Sequence, residues 1–190
     1  MITFPFPQDF YMTIDPLNKE DLVNVCQNGK LDKNQSFSWK KGCIVKSERL
    51  VPKEIMPVLG PSLDAFTKEI SLSFRTSIEG NLYIDEVWRN TYTKGSFQEV
   101  HDHLPYDISG VIFLDDYQKG SAEFYFFNRN YPQLTEGWRG IIGRTSNNSP
   151  QINAKRGQVI FFPSHMLHGV TPQNNSKPRK TVSFNIKIVP

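Results

Sequence analysis

A chain of 190 residues, 38% hydrophobic, 13% aromatic and 22% charged, has the composition of one soluble globular domain able to bury a core without staples. Its net charge of +3 comes from scattered basic residues, and the densest cluster, "SKPRK" at 176–180, is too short to mark a nucleic-acid surface. No stretch approaches the roughly 20 apolar residues of a membrane span, and "MITFPFPQDFYM" has neither the basic start nor the long apolar run of a signal peptide. A cytoplasmic location is expected, with Cys26 and Cys43 free to pair but reduced by default.

In chain order, residues 18–30 predict a helix, with a cap at Asn18 or Asp15, apolar Leu22, Val23 and Cys26, and a stop at Gly29. "WKKGCIVKSERLVP" reads as a short strand pair. "GPSLDAFTKEISLSF" (60–74) predicts a second helix, with Ser62 as N-cap and Leu63, Phe66 and Ile70 at helical spacing. From Leu82 the texture changes. "LYIDEVWRNTY", "ISGVIFLDD", "SAEFYFF", "WRGIIG", "QVIFFP" and "TVSFNIKIV" are short, aromatic or β-branched, and bounded by Gly, Pro, Asn and Asp. With 14 Phe and 7 Tyr, this predicts a mainly β protein with N-terminal helices, a sandwich or barrel. The expected organisation is a single domain over 1–190, with 1–80 as a mixed N-terminal support and 81–190 as the β core. The polar stretches 128–137 and 144–151 are expected as loops near an opening of the barrel.

The chain has four histidines. In "QEVHDHLPYDISGV" (98–111), alternation along a strand turns His101 and His103 to one face and Asp102 to the other. His165 and His168 follow a core strand in "GQVIFFPSHMLHGVTP". Each pair alone reads more readily as loop decoration than as a metal site, but a small barrel brings such distant segments to one interior point. Three ligands on one side of a metal leave positions open for substrate and oxygen, as a catalytic site requires. In "RKTVSFNIKI", Arg179, Thr181 and Ser183 share one strand face, with Val182, Phe184 and Ile186 on the other. An inward Arg179 needs an anion, and a carboxylate held in fork geometry beside Thr181 satisfies it; the alternative is an edge-strand arginine facing water. Trp88, Asn90 and Tyr92 also share a face, Asn90 and Tyr92 as candidate hydrogen-bonding groups for a cosubstrate or substrate, Trp88 as core.

The stretches "WRNTYTKGSFQEVHDHLPYDISGVIFL" and "KRGQVIFFPSHMLHGVTPQNNSKPRKTVSFNI" resemble the 2-oxoglutarate and Fe(II)-dependent oxygenases, in particular the small prolyl-hydroxylase-like branch of bacteria and phages. The resemblance covers about the C-terminal half, including Gly95 ahead of His101. It implies a double-stranded β-helix (jelly roll, cupin-like). It also implies Fe(II), 2-oxoglutarate and O2 as cofactor and cosubstrates, and hydroxylation of a C–H bond with release of succinate and CO2. His101, His103 and His168 then stand as catalytic metal ligands, Arg179 and Thr181 as the 2-oxoglutarate carboxylate site, with Asn90 and Tyr92 nearby. The substrate it suggests is a protein prolyl side chain, and a phage-encoded chain would work in the host cytoplasm.

The sequence departs from the usual His-x-Asp/Glu pattern by placing His103 third. Asp102 serves instead only if a bulge turns it inward. His165 reads as a supporting donor or a cover of the barrel mouth. The competing readings are a three-His cupin dioxygenase that needs no 2-oxoglutarate and a non-enzymatic jelly-roll binding module. A nucleic-acid demethylase is a weaker third, since no second arginine closely follows Arg179.

Overall fold

A computed structural model describes residues 9–32, 43–128, 135–142, 151–152 and 154–190. Two sheets form the β core. The larger contains β1 (Met12–Ile14), β2 (Lys46–Arg49), β3 (Asn81–Tyr92), β5 (Ile108–Phe113), β8 (Val159–Pro163) and β10 (Arg179–Val189), in the order β1-β8-β5-β10-β3-β2. The smaller contains β4 (Gln98–His101), β6 (Phe124–Phe126), β7 (Gln151–Ile152) and β9 (His168–Val170), in the order β4-β9-β6-β7. All the pairings are antiparallel, as the short strands and frequent turn residues predict.

Period-two alternation divides the core into two layers. On β5, β8 and β10, Ile112, Phe161, Val182 and Phe184 pack toward the helices, joining Leu22, Ile55, Leu59 and Phe66. The opposite faces supply Val111, Phe113, Ile160 and Phe162, which pack with Phe124, Phe126 and Val170 of the smaller sheet. Central strands buried on both faces explain the continuous apolar runs "GVIFL" and "VIFF". Phe161 stacks on Phe66 with centroids 4.8 Å apart, joining helix to sheet.

Two of the predicted elements need correction at their limits. Helix α1 (Lys19–Asn28) buries Leu22, Val23 and Cys26 and ends at Gly29 as expected, but Asn18 donates its amide to the Val58 carbonyl (2.9 Å) instead of capping its own helix. Helix α2 runs from Pro52 to Phe74, eight residues earlier than predicted, so Ser62 is not an N-cap but a buried mid-helix residue. Pro52 starts the helix where its missing N–H matters least. Burial of Ile55 and Leu59 then offsets the interruptions at Pro57 and Pro61.

"WRGIIG", expected as a strand, lies largely in helix α3 (Glu136–Ile142). So short an apolar run has no periodicity to separate strand from helix. The expected strand pair near residue 46 is β2 alone, paired with β3, while residues 39–42 lie outside the described residues. Most of the two predicted loops, 129–134 and 144–150, also lies outside them.

Gly110 is fixed by close packing between strands. A Cβ at Gly110 would fall 2.2 Å from Phe184 Cζ and 2.6 Å from the Ile160 carbonyl oxygen, and the backbone oxygen cannot yield. Gly110→Ala is therefore expected to lower stability by about 1–3 kcal/mol, the usual range for overpacking. Gly60→Ala, where a Cβ meets nothing within 4 Å inside α2, should be neutral or stabilising by up to about 1 kcal/mol. Urea denaturation of both variants beside the parent checks the contrast.

Candidate active site

Three of the four histidines meet between the two sheets. His101 ends β4 and lies directly opposite His168 of β9, with ring centroids 4.4 Å apart. The His103 ring is 5.1 Å from His101 and 5.0 Å from His168. One nitrogen from each falls within 4.8 Å of the others. The sequence-derived reason for His103 needs correction. β4 stops at His101, and its pairing with β9 already shifts register between Gln98 and His101, so no regular strand carries the pair. His103 is held instead by its backbone: its N–H donates to the Ser164 carbonyl (2.9 Å) and its carbonyl accepts from Tyr106 (3.0 Å). Asp102 is exposed, its Oδ1 accepts from the Leu104 N–H (3.2 Å), and its carboxylate is not part of the cluster.

The ring nitrogens are set for metal binding. His101 Nδ1 lies 2.7 Å from the Glu99 carbonyl and His168 Nδ1 lies 2.9 Å from the Met166 carbonyl. A carbonyl only accepts, so each Nδ1 carries a proton, which leaves Nε2 as the nitrogen that can offer a lone pair to a metal. Burial, then the neighbouring His101 and Arg49, holds His103 down to about 3; burial, then His101 and His103, holds His168 well below its ordinary value. Both imidazoles are therefore neutral at physiological pH, the form that ligates.

These shifts have a consequence for stability. Below about pH 6.5 the unfolded chain takes protons on these two rings while the folded protein does not. The contribution of these two rings to the stability of the metal-free protein is thus fully present above that pH and is lost as pH falls toward 3. Melting temperatures from pH 8 to 5 should show this decline, and His103→Ala should make it shallower.

The same pocket reaches Arg179 and Thr181 at the start of β10, and about 420 Å3 of it, mouth included, is free of atoms. Arg179 is 3% exposed, with its guanidinium 5.3 Å from the centre of the Phe113 ring. Its Nε and Nη2 are buried and have no hydrogen-bond partner among the described residues. Thr181 and Ser183 line the pocket beside it, while Val182, Phe184 and Ile186 point to the helices, as alternation predicts.

The remaining candidates divide. Tyr92, directly across the ladder from Arg179, lines the pocket and is fully buried. Asn90 stands behind the wall, accepting from Ser47 Oγ (2.6 Å) and donating to Ser183 Oγ (3.3 Å). Trp88 is buried as expected of core, but it also lines the pocket, 5.4 Å from the His103 ring and 5.3 Å from the Arg49 guanidinium. His165 is not part of the cluster; its Nε2 lies 3.2 Å from Asp9 Oδ1. Gln98, which sequence reasoning passed over, is buried at the pocket wall and accepts from the Tyr92 hydroxyl at 2.5 Å. Its position at the start of β4, three residues before His101, was the only signal available.

Two observations therefore fit a metal and a dicarboxylate: three imidazoles with converging nitrogens, and a buried guanidinium with two nitrogens lacking hydrogen-bond partners among the described residues. The sequence family described as "Putative 2OG-Fe(II) oxygenase" matches residues 86–185, more than half of the 190-residue chain. This protein belongs to the 2OG-Fe(II) oxygenases. It is an enzyme that uses Fe(II), 2-oxoglutarate and O2.

The oxygenase has the double-stranded β-helix fold, shared with solved structures of low identity. A 2OG-Fe(II) oxygenase family protein from Burkholderia pseudomallei is 15% identical with a TM-score of 0.60, covering 93% of this chain and 84% of that one. A prolyl-4-hydroxylase of Pseudomonas putida is 14% identical with a TM-score of 0.59, covering 95% and 93%. A viral collagen prolyl hydroxylase from Paramecium Bursaria Chlorella virus-1, solved as a 2OG complex, is 15% identical with a TM-score of 0.56, covering 95% and 97%. No curated protein matches the sequence. Among the described residues, no helix is long and apolar enough to cross a membrane.

Proposed function

We propose that His101, His103 and His168 hold Fe(II) in a three-histidine site, and that Arg179 and Thr181 bind the far carboxylate of 2-oxoglutarate. The observation that carries this is one pocket containing both the three converging imidazole nitrogens and the buried, unsatisfied Arg179 guanidinium. Neutral ligands leave the iron with its full positive charge, so the cosubstrate anion supplies the balancing negative charge. Bound there, iron and 2-oxoglutarate supply an oxidant from O2, with succinate and CO2 as products.

The chain's own part is positioning and exclusion. The Glu99 and Met166 carbonyls fix the tautomers of His101 and His168, and with them the ring orientation. Arg179 sets the depth at which the dicarboxylate seats, which orients its reactive end. Phe124, Phe162 and Val170 line the pocket with apolar surface, keeping water from the reacting groups.

The reaction in this reading is hydroxylation of a protein or peptide prolyl side chain: R–H, O2 and 2-oxoglutarate give R–OH, succinate and CO2. The fold-level likeness to the Pseudomonas and viral prolyl hydroxylases supports the choice of substrate. The test incubates the protein with Fe(II), 2-oxoglutarate and a panel of proline-containing peptides, following succinate and peptide mass. The expected result is one oxygen atom added at proline, with one succinate formed per hydroxylation. Succinate release unchanged by every peptide, with no peptide modified, would exclude prolyl hydroxylation while leaving the cofactor assignment standing.

A further inference from the structure

Beside Arg179 lies a polar pair whose hydrogen-bond direction matters for the anion. Tyr92 is opposite Arg179 in the β3–β10 ladder, and burial pushes its phenol well above the ordinary value, so it keeps its proton. That single proton is donated to Gln98 Oε1 at 2.5 Å, and the Thr181 side chain hydrogen-bonds the same phenol. Tyr92, Gln98 and Thr181 all line the pocket that holds the Arg179 guanidinium, and all are at least about nine-tenths buried. In this arrangement the phenol's one proton is taken by Gln98, and it has only lone pairs left to offer an anion seated at Arg179. A carboxylate is acceptor-only, so it needs the proton turned around.

Gln98 can provide that reversal, because rotating its terminal amide exchanges an acceptor oxygen for a donor NH2 at the same place. We propose that Gln98 is a positioning residue for cosubstrate binding: its amide turns when the dicarboxylate enters, donates to the Tyr92 oxygen and frees the Tyr92 proton for the carboxylate. The donor chain then runs from Gln98 through Tyr92 to the anion. Together with the two unsatisfied guanidinium nitrogens of Arg179, it completes a set of donors in a site closed to water. This inference rests on the proposed cosubstrate site at Arg179.

The test measures 2-oxoglutarate affinity by anaerobic calorimetry on the Mn(II)-loaded protein, so no turnover is required. Gln98→Glu keeps the size but can only accept, locking the Tyr92 proton in the wrong direction, and should weaken binding at least tenfold. Its charge also repels the anion directly, so the same substitution is made in a Tyr92→Phe background. There the phenol-mediated part is gone, and the loss should be several times smaller. Gln98→Met removes the competing acceptor and the amide donor together without adding charge, and should weaken binding about threefold, between the parent and Gln98→Glu.

Equal losses from Gln98→Glu in both backgrounds, or none in either, would overturn the inference. A Gln98→Met protein as weak as Gln98→Glu would overturn it too, since the side chain would then act through packing. Arg179→Ala, run in parallel, separates the two levels. Unchanged affinity there sinks the cosubstrate site itself, whereas a large loss there with no effect at Gln98 sinks the amide switch alone.

Discussion

His103→Ala is expected to lose most of its Fe(II), as His101→Ala and His168→Ala do, whereas Asp102→Asn keeps it. Removing an outer partner of a metal ligand already costs roughly 10–100-fold in affinity, so removing one of three ligands should exceed that range. Asp102 has no part in this because its carboxylate is exposed and occupied with the Leu104 N–H. The ring of His103, by contrast, stands about equally far from the other two imidazoles. His103→Asp restores the commoner His-x-Asp pattern with a shorter side chain and should retain part of the iron. Metal content of the five purified variants, measured side by side, checks the whole set. Loss of iron in Asp102→Asn with retention in His103→Ala would invert the assignment.

Arg179→Ala is expected to weaken 2-oxoglutarate binding more than tenfold while metal content stays near that of the parent. Removing one partner of a desolvated charge pair typically costs about 2–5 kcal/mol. The guanidinium is nearly fully buried, with two nitrogens unsatisfied among the described residues, so its fork is open to a carboxylate. Arg179→Lys should recover only part of the affinity, because an ammonium is a point charge without the planar fork. Calorimetric titration with 2-oxoglutarate in the absence of O2 reads both variants; affinity unchanged in Arg179→Ala would mean that the anion binds elsewhere.

The β10 face was legible because a long regular strand obeys period two: Arg179, Thr181 and Ser183 face the pocket while Val182, Phe184 and Ile186 face the helices. The apolar runs of β5 and β8 were legible for a related reason, since strands buried on both sides need no polar alternation. His103 was reached by the same rule but sits beyond the end of its strand, where Ser164 and Tyr106 fix the backbone. Contacts between segments some 60 residues apart in sequence leave no local pattern. Gln98 escaped notice for another reason: its partner Tyr92 is only six residues away, but their meeting within a buried pocket is a product of the fold that nothing in "SFQEV" shows. The start of α2 was hidden by Pro57, Gly60 and Pro61, whose local preferences are overridden by the buried face of the helix. "WRGIIG" had composition for a strand and too little length to decide.

On the proposed assignment, one pocket holds Fe(II) on three histidines and 2-oxoglutarate on Arg179 at the same time. Anaerobic addition of Fe(II) and then 2-oxoglutarate, followed by visible absorption, tests it most directly, because a keto acid chelating Fe(II) gives a charge-transfer band that neither component gives alone. This band should appear in the parent protein, be absent in His168→Ala at any 2-oxoglutarate concentration, and appear in Arg179→Ala only at much higher 2-oxoglutarate. A parent protein that binds Fe(II) and 2-oxoglutarate yet develops no such band would contradict it.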